Sequence, residues 1–332
     1  MARSRPLSGI VALLLAFGLL AGFPLAAAAA DEVAFTINDD RITESSGLAR
    51  DLAAGGYWTV NDSGDRGVAY GISPTGKVLG TLNYRAQPED VEAVAVFEDR
   101  LYIADIGDNN EEREFVTVYY FDDPRASGLT VSYRAWDFTY PDGPHDAEAL
   151  LVNEKGRLYI VTKGAEGGVY IAPSEPSREG VNELRRVGQA PAMVTDGTFL
   201  PGGEQIALLT PGSVEVVDAD TYREVASADL PNLSQPESLT VSLDDETLLV
   251  GSEGKKSKVY AMAVPGAATP TPTPTPTPSA SRTAAPDPGD VPEDDPTAAN
   301  TGRSRAGTLL ALGLAAVVAI VAGGVVVLVR KS

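Results

Sequence analysis

The chain of 332 residues contains no cysteine and a single histidine. Without thiols there is no disulfide framework, no thiolate metal centre and no cysteine nucleophile. A Ser-His-Asp triad would have one imidazole to draw on, that of His145. Cations are also scarce, 26 Lys and Arg against 46 Asp and Glu, for a formal net charge of −20. Residues 31–265 hold 19 of the basic and 41 of the acidic side chains, so the acidity belongs to this part of the chain. Nucleic acid and anionic lipid headgroups are then poor partners for it, and no nucleic-acid partner is expected. The same part lacks any long stretch of helical period. Its short runs of Val, Ile, Tyr, Thr and Leu, broken by Gly, Asp, Asn and Pro clusters, read as all-β.

The two ends are different. Arg3 and Arg5 precede IVALLLAFGLLAGFPLAAAAA, which closes on an Ala-x-Ala pattern before Asp31, the three parts of a secretory signal peptide over residues 1–30. Residues 307–329 carry no charge over 23 positions, enough at ~1.5 Å per residue to cross a hydrocarbon core of ~30 Å as one transmembrane helix. Arg330 and Lys331 follow, which places residues 330–332 in the cytoplasm and the remainder outside. Residues 266–306 are rich in Pro, Thr, Ser and Asp and cannot bury a core, so they predict an extended, disordered stalk reaching roughly 100 Å. Within it AANTG, residues 298–302, resembles the Leu-Ala-x-Thr-Gly signal of sortases, with Ala298 in place of the leucine. The expected location is the cell surface, single-pass, with sortase attachment to the cell wall as an alternative to membrane retention.

Residues 31–265 repeat one pattern five times. A strand ends in a polar residue followed, after one intervening position, by glycine: Asp62 and Gly64, Asp105 and Gly107, Thr162 and Gly164, Thr210 and Gly212, Ser252 and Gly254. The spacings of 43, 57, 48 and 42 residues suit one four-stranded propeller blade each. Upstream of each, a polar residue opens a strand: Ser46 or Glu44, then Glu92, Glu148, Asp196 and Glu237. The last copy has three strands only, and VAFTIND, residues 33–39, can supply the fourth. The expectation is a five-bladed β-propeller closed by its N-terminal strand, which leaves no free sheet edge between first and last blades. A six-bladed partition is the alternative.

The glycines have a structural reason, tolerance of positive φ in a tight hairpin, but the acids around them do not. Asp62, Asp65, Asp105 and Asp108 are additions to a turn that other copies make without them. With Glu44, Asp90, Glu92, Asp146, Glu148, Asp196 and Glu237 they would ring one channel mouth with carboxylates. Such a ring repels itself unless a cation occupies it or some pKa values rise. ADIGDNNEERE, residues 104–114, is the most acidic stretch, yet it has a glycine third and Val116 twelfth counted from Asp105, so it is not an EF-hand loop. A Ca²⁺ or another divalent ion held between blades by Asp62, Asp105, Glu92 and Glu148 is the expected cofactor. His145, three residues before Glu148, is the candidate acid/base with that glutamate as its catalytic partner. Trp58, Tyr102 and Tyr159 match one another in second strands and are assigned to core packing.

ESSGLA, WTVNDSGD, LYIADIGDNN and YPDGPHDAEALLV resemble a family of bacterial secreted WD-repeat-like β-propellers, more distantly similar to propellers with phytase-like esterase activity. The resemblance implies fold and export rather than a reaction. Where that family has Trp-Glu-Asp, this chain has Pro88, Glu89 and Asp90. A phosphate-cleaving site would gather Arg or Lys, and no such cluster stands in the sequence. The first functional expectation is a monomeric, surface-tethered binding module whose acidic mouth meets a cationic or cell-wall ligand. The alternative is a metal-dependent hydrolase of phosphoesters, esters or lactones. A glycosidase using paired carboxylates is the third.

Overall fold

The apolar runs form five sheets, antiparallel but for one short parallel pairing in each of two, described by a computed structural model over residues 32–62 and 66–267. The segments expected to be signal peptide, transmembrane helix and cytoplasmic tail, the expected stalk from residue 268 on with its AANTG, and Gly64 and Asp65 lie outside the described residues. β1 (Glu32–Thr36) precedes blade 1, which is β2 (Ser45–Asp51), β3 (Gly56–Asn61), β4 (Val68–Ile72) and β5 (Val78–Tyr84). Blade 2 is β6 (Val91–Phe97), β7 (Arg100–Asp105), β8 (Val116–Asp122) and, after the short β9 (Thr130–Val131), β10 (Arg134–Thr139). Blade 3 is β11 (Ala147–Val152), β12 (Leu158–Thr162), β13 (Gly168–Ile171) and, after β14 (Asn182–Glu183), β15 (Arg185–Gln189). Blade 4 is β16 (Asp196–Phe199), β17 (Gln205–Leu209), β18 (Ser213–Asp218) and β19 (Glu224–Asp229). Blade 5 is β20 (Pro236–Val241), β21 (Thr247–Ser252), β22 (Lys258–Ala263) and β1.

The chain is therefore a five-bladed propeller, and the six-bladed partition does not hold. β1 completes blade 5 by pairing antiparallel with β22, Val33 opposite Tyr260 and Thr36 opposite Lys258. Phe35 and Ile37 hold this closure by packing with Leu48, Tyr57, Leu249 and Val259 between blades 5 and 1. Burying two such side chains contributes about 3–6 kcal/mol. Four further apolar clusters fill the remaining seams between neighbouring blades. A blade packed on both faces explains why its middle strands are continuous apolar runs rather than alternating ones: every residue of β12 is buried. Trp58, Tyr102 and Tyr159 are buried in these seams. Two additions were not legible in the repeat: β9 returns to pair parallel with β5, and β14 pairs parallel with β10, covering the outer edges of blades 1 and 2.

The first strands β2, β6, β11, β16 and β20 pack side by side in a closed ring around the central channel. Their C-terminal halves line a cavity of 380 Å³ walled by Val94, Val96, Leu150, Val152, Phe199 and Leu200. Their N-terminal ends form the opposite mouth, where the acids gather.

Candidate functional site

Four of the five inner strands open on the same backbone irregularity. Pairing with the second strand slips by one residue between Ser46 and Leu48, Val91 and Ala93, Ala147 and Ala149, and Pro236 and Ser238. The extra residues are Gly47, Glu92, Glu148 and Glu237. A β-bulge re-aims the side chain it carries, so three glutamates are delivered to the mouth by one device. The blade 1 member of the set is Gly47, not the Ser46 or Glu44 that the sequence pattern suggests. At φ +67° its hydrogen faces blade 2, where a Cβ would stand 2.9 Å from Val94 N. Blade 4 has no bulge. Its Asp196, 2% exposed, accepts hydrogen bonds from Gly197 N at 2.7 Å and Leu239 N at 2.6 Å and ties β16 to β20.

The remaining carboxylates divide according to whether the protein supplies them with a cation. Glu148, 3% exposed, forms an ion pair with Lys163, which the β12–β13 hairpin brings across. Burial pushes the Glu148 pKa up and Lys163 pulls it back. Burial, then the Glu148 charge, raise Glu237 to about 8, and its Oε2 is buried without a hydrogen-bond partner. Lys163 itself is disfavoured by burial but ends with a raised pKa because Glu148 holds its proton.

ADIGDNNEERE is built around its own guanidinium. Arg113 Nη1 donates to Gly107 O at 2.7 Å and lies 2.9 Å from Asp105 Oδ1, with Glu89 Oε2 3.7 Å from Nε. Asp105 also accepts from Glu89 N at 3.1 Å and Asp90 N at 3.0 Å. Asp108 turns inward to accept from Glu112 N and Arg113 N, both at 2.9 Å. These carboxylates clamp the loop to the entry of blade 2. The expectation that Asp105 is a metal ligand meets this arrangement: both of its oxygens are committed to the backbone and to Arg113.

Among the described residues no cation pairs with Asp62 or Glu92, while Asp90 feels Arg113 without an ion pair and accepts from Asn109 Nδ2 at 3.4 Å. One oxygen from each of these three acids lies within 4.8 Å of the others. Glu92 is 5% exposed, and among the described residues no hydrogen bond or ion pair reaches its carboxylate. Asp62 Oδ1 is likewise buried and unpartnered. Burial, followed by the charges of Glu148, Asp62 and Asp90, pushes Glu92 to about 10. Asp62 rises to about 7, from burial first and then Asp90, and burial also raises Asp90. Gly107 closes the pocket from below: a Cβ there would fall on the Asp90 carboxylate and 2.7 Å from Glu92 Oε1. The repeated glycines thus differ in purpose. Gly254 has the positive φ expected of all of them, +99°, whereas Gly107 does not, and is required for close approach instead.

His145 lies apart from the three acids, at the seam of blades 2 and 3. Its Nε2 is 3.0 Å from Asp142 Oδ1 and 3.0 Å from the Tyr170 hydroxyl, and its ring packs edge-on to Tyr140. Among the described residues no contact joins it to Glu148. Of the residues singled out from sequence, Asp62 and Glu92 come together, Glu148 faces Lys163, and Asp105 and His145 are engaged elsewhere.

No family model and no curated relative matches the chain. Among solved structures it is similar to a gluconolactonase from Xanthomonas campestris, described as important in glucose secondary metabolic pathways. The identity is 15%, the TM-score 0.40, and the match covers 69% of this chain and 88% of that one. A likeness of that depth carries no argument about reaction or substrate.

Sequence reasoning counted Asp90 in the ring of acids but not among the metal ligands, and passed over Arg113 as the loop's counter-ion. Both leave a signal: Asp90 and Glu92 stand two apart at a strand entry, and Arg113 is the one cation among the acids of residues 104–114.

Proposed function

We propose that the protein is a cation-dependent binding module that takes up Ca²⁺ at Asp62, Asp90 and Glu92. The observation that carries this reading is Glu92, a 5%-exposed carboxylate aimed at two other acids without a protein cation to balance it. An uncompensated buried charge is costly, so the site gains most from an ion that replaces the missing counter-charge. Three carboxylate oxygens gathered within 4.8 Å of one another suit a hard cation, and Ca²⁺, which accepts ~2.3–2.6 Å distances in irregular geometry, fits a protein-fixed set better than Mg²⁺, which demands a near-ideal octahedron at ~2.0–2.1 Å. Three protein ligands leave positions for water and for oxygen atoms of a bound partner. The signal peptide, stalk and apolar segment read from the sequence put this mouth outside the cell, held off the membrane as a monomer. Its partner there is an extracellular cationic or cell-wall ligand.

Thermal melting of the full-length chain in EDTA and in millimolar Ca²⁺ tests the reading. A ligand present at ~100 times its Kd raises stability by about 2.7 kcal/mol, a shift of several degrees. An unchanged melting temperature at millimolar Ca²⁺ removes the proposal.

A second reading is a metal-dependent hydrolase of phosphoesters, esters or lactones. One observation favours it: Glu237 at about 8 titrates near neutrality, as a general acid or base serving a metal-bound water must. In this reading proton transfer falls to Glu237 or to Glu148, with His145 held by Asp142 and Tyr170 at the blade seam. Generic phosphoester, aryl-ester and lactone substrates that all stay intact with the Ca²⁺-loaded protein would dispose of it.

A further inference from the structure

The loops that carry Asp62 and Asp90 at one end carry arginines at the other. Arg66 lies on the β3–β4 connection and Arg85 on the β5–β6 connection, while Arg41 reaches in from the connection between β1 and β2. These three arginines, separated by 25 and 19 positions in the chain, line one open groove of 800 Å³ along the outer half of blade 1. Its other walls are neutral, among them Tyr70, Thr81, Asn83 and Gln87, and among the described residues no acid lines it. In a body with 41 acidic and 19 basic side chains, a groove whose described lining holds three guanidinium groups and no carboxylate is a concentrated exception.

The arginines are not used up by the fold. Arg41 is paired with Asp39 through Nε at 2.8 Å and Nη2 at 2.7 Å, and its guanidinium lies over the Tyr70 ring. Arg66 and Arg85 are exposed, and among the described residues neither side chain has a hydrogen-bond or ion-pair partner. After the Asp39 charge is counted, the groove keeps a surplus of two positive charges. A guanidinium offers paired donors that fit oxyanions in a two-point contact. Two free forks exceed what one carboxylate can accept and match a phosphate monoester, with ≈ −1.5 to −2 charge and three acceptor oxygens. The groove is larger than the oxyanion, leaving room for the group that bears it beside the Thr81, Asn83 and Gln87 side chains.

We propose that this groove is a binding site for a phosphate monoester, held by Arg66 and Arg85 with Arg41 completing the positive wall. The site is independent of any cation in the channel mouth. It also answers the absence of an Arg or Lys cluster from the linear sequence, because the cluster exists only after β1–β2, β3–β4 and β5–β6 connections converge.

The test is calorimetric titration of the full-length chain with glycerol phosphate in EDTA, so that no metal ion in the mouth can supply the contact, with glycerol as the neutral control. Saturable millimolar binding is expected, weakening as salt rises. Arg66→Gln and Arg85→Gln should each weaken it about tenfold or more, with unchanged melting temperatures because both side chains are exposed. Arg125→Gln, at an exposed arginine paired with Asp123 outside the groove, should leave the affinity unchanged. No saturable binding at millimolar glycerol phosphate, or binding that neither Arg66→Gln nor Arg85→Gln weakens, overturns the proposal.

Discussion

Glu92→Gln should make the metal-free protein more stable at neutral pH. Glutamine keeps the shape of a protonated glutamate but cannot ionise, so the variant removes one proton equilibrium from a buried position. Burial and the neighbouring acids raise the folded-state pKa of Glu92 from 4.5 to about 10. A carboxyl whose pKa rises on folding binds its proton more tightly in the native state. Its contribution to stability is whole below the unfolded pKa and is lost as pH climbs toward the folded one. At ~1.36 kcal/mol per pH unit, the climb from pH 4.5 to 7 costs the wild-type chain about 3 kcal/mol that Glu92→Gln does not lose. For a domain of this size that is roughly 6–12 °C in melting temperature. Circular dichroism melts in EDTA should therefore superimpose at pH 4.5 and separate at pH 7, with Glu92→Gln the higher. Adding Ca²⁺ at pH 7 should raise the wild type and leave Glu92→Gln nearly unmoved, since the ion needs the ionised ligand. A variant that melts below wild type at pH 7 in EDTA, or one that gains as much from Ca²⁺, refutes both the burial argument and the site.

Gly107→Ala places a methyl group against Asp90 and Glu92, and should cut the Ca²⁺-induced melting shift by more than half while leaving the EDTA melt within about 1 kcal/mol of wild type. Arg113→Met strips the counter-ion from buried Asp105 and leaves Gly107 O without its donor, and should cost about 3 kcal/mol in denaturant unfolding. Lys163→Met removes the cation that pulls the Glu148 pKa down, so that pKa moves further up. The sign follows: melting of Lys163→Met should fall increasingly below wild type as pH rises from 5 to 8, and a gap that does not widen with pH would refute the pairing.

The propeller was legible because its signal is repeated. Five strand-polar-x-Gly copies at blade-length spacing, with a three-stranded last copy and a spare first strand, favour a five-bladed closed ring over six blades, and the β1–β22 pairing realises it. The acids of the mouth were legible only as a set. Asp105, Asp62, Glu92 and Glu148 look alike in the chain, yet Asp105 clamps a loop through Arg113, Glu148 is paired with Lys163, and among the described residues no cation pairs with Asp62 or Glu92. His145 shows the same limit: three residues from Glu148 in sequence, it is turned outward to Asp142 and Tyr170.

The sequence by itself determined the strand pattern, the blade count, the closure and the surplus of negative charge, since each depends on periodicity or composition summed along the chain. Only the tertiary structure decided which carboxylates share a counter-ion, which glycine serves close approach and where three arginines converge. Those outcomes depend on separations of a few ångströms between residues tens of positions apart, set by one-residue bulges and by the register of neighbouring blades.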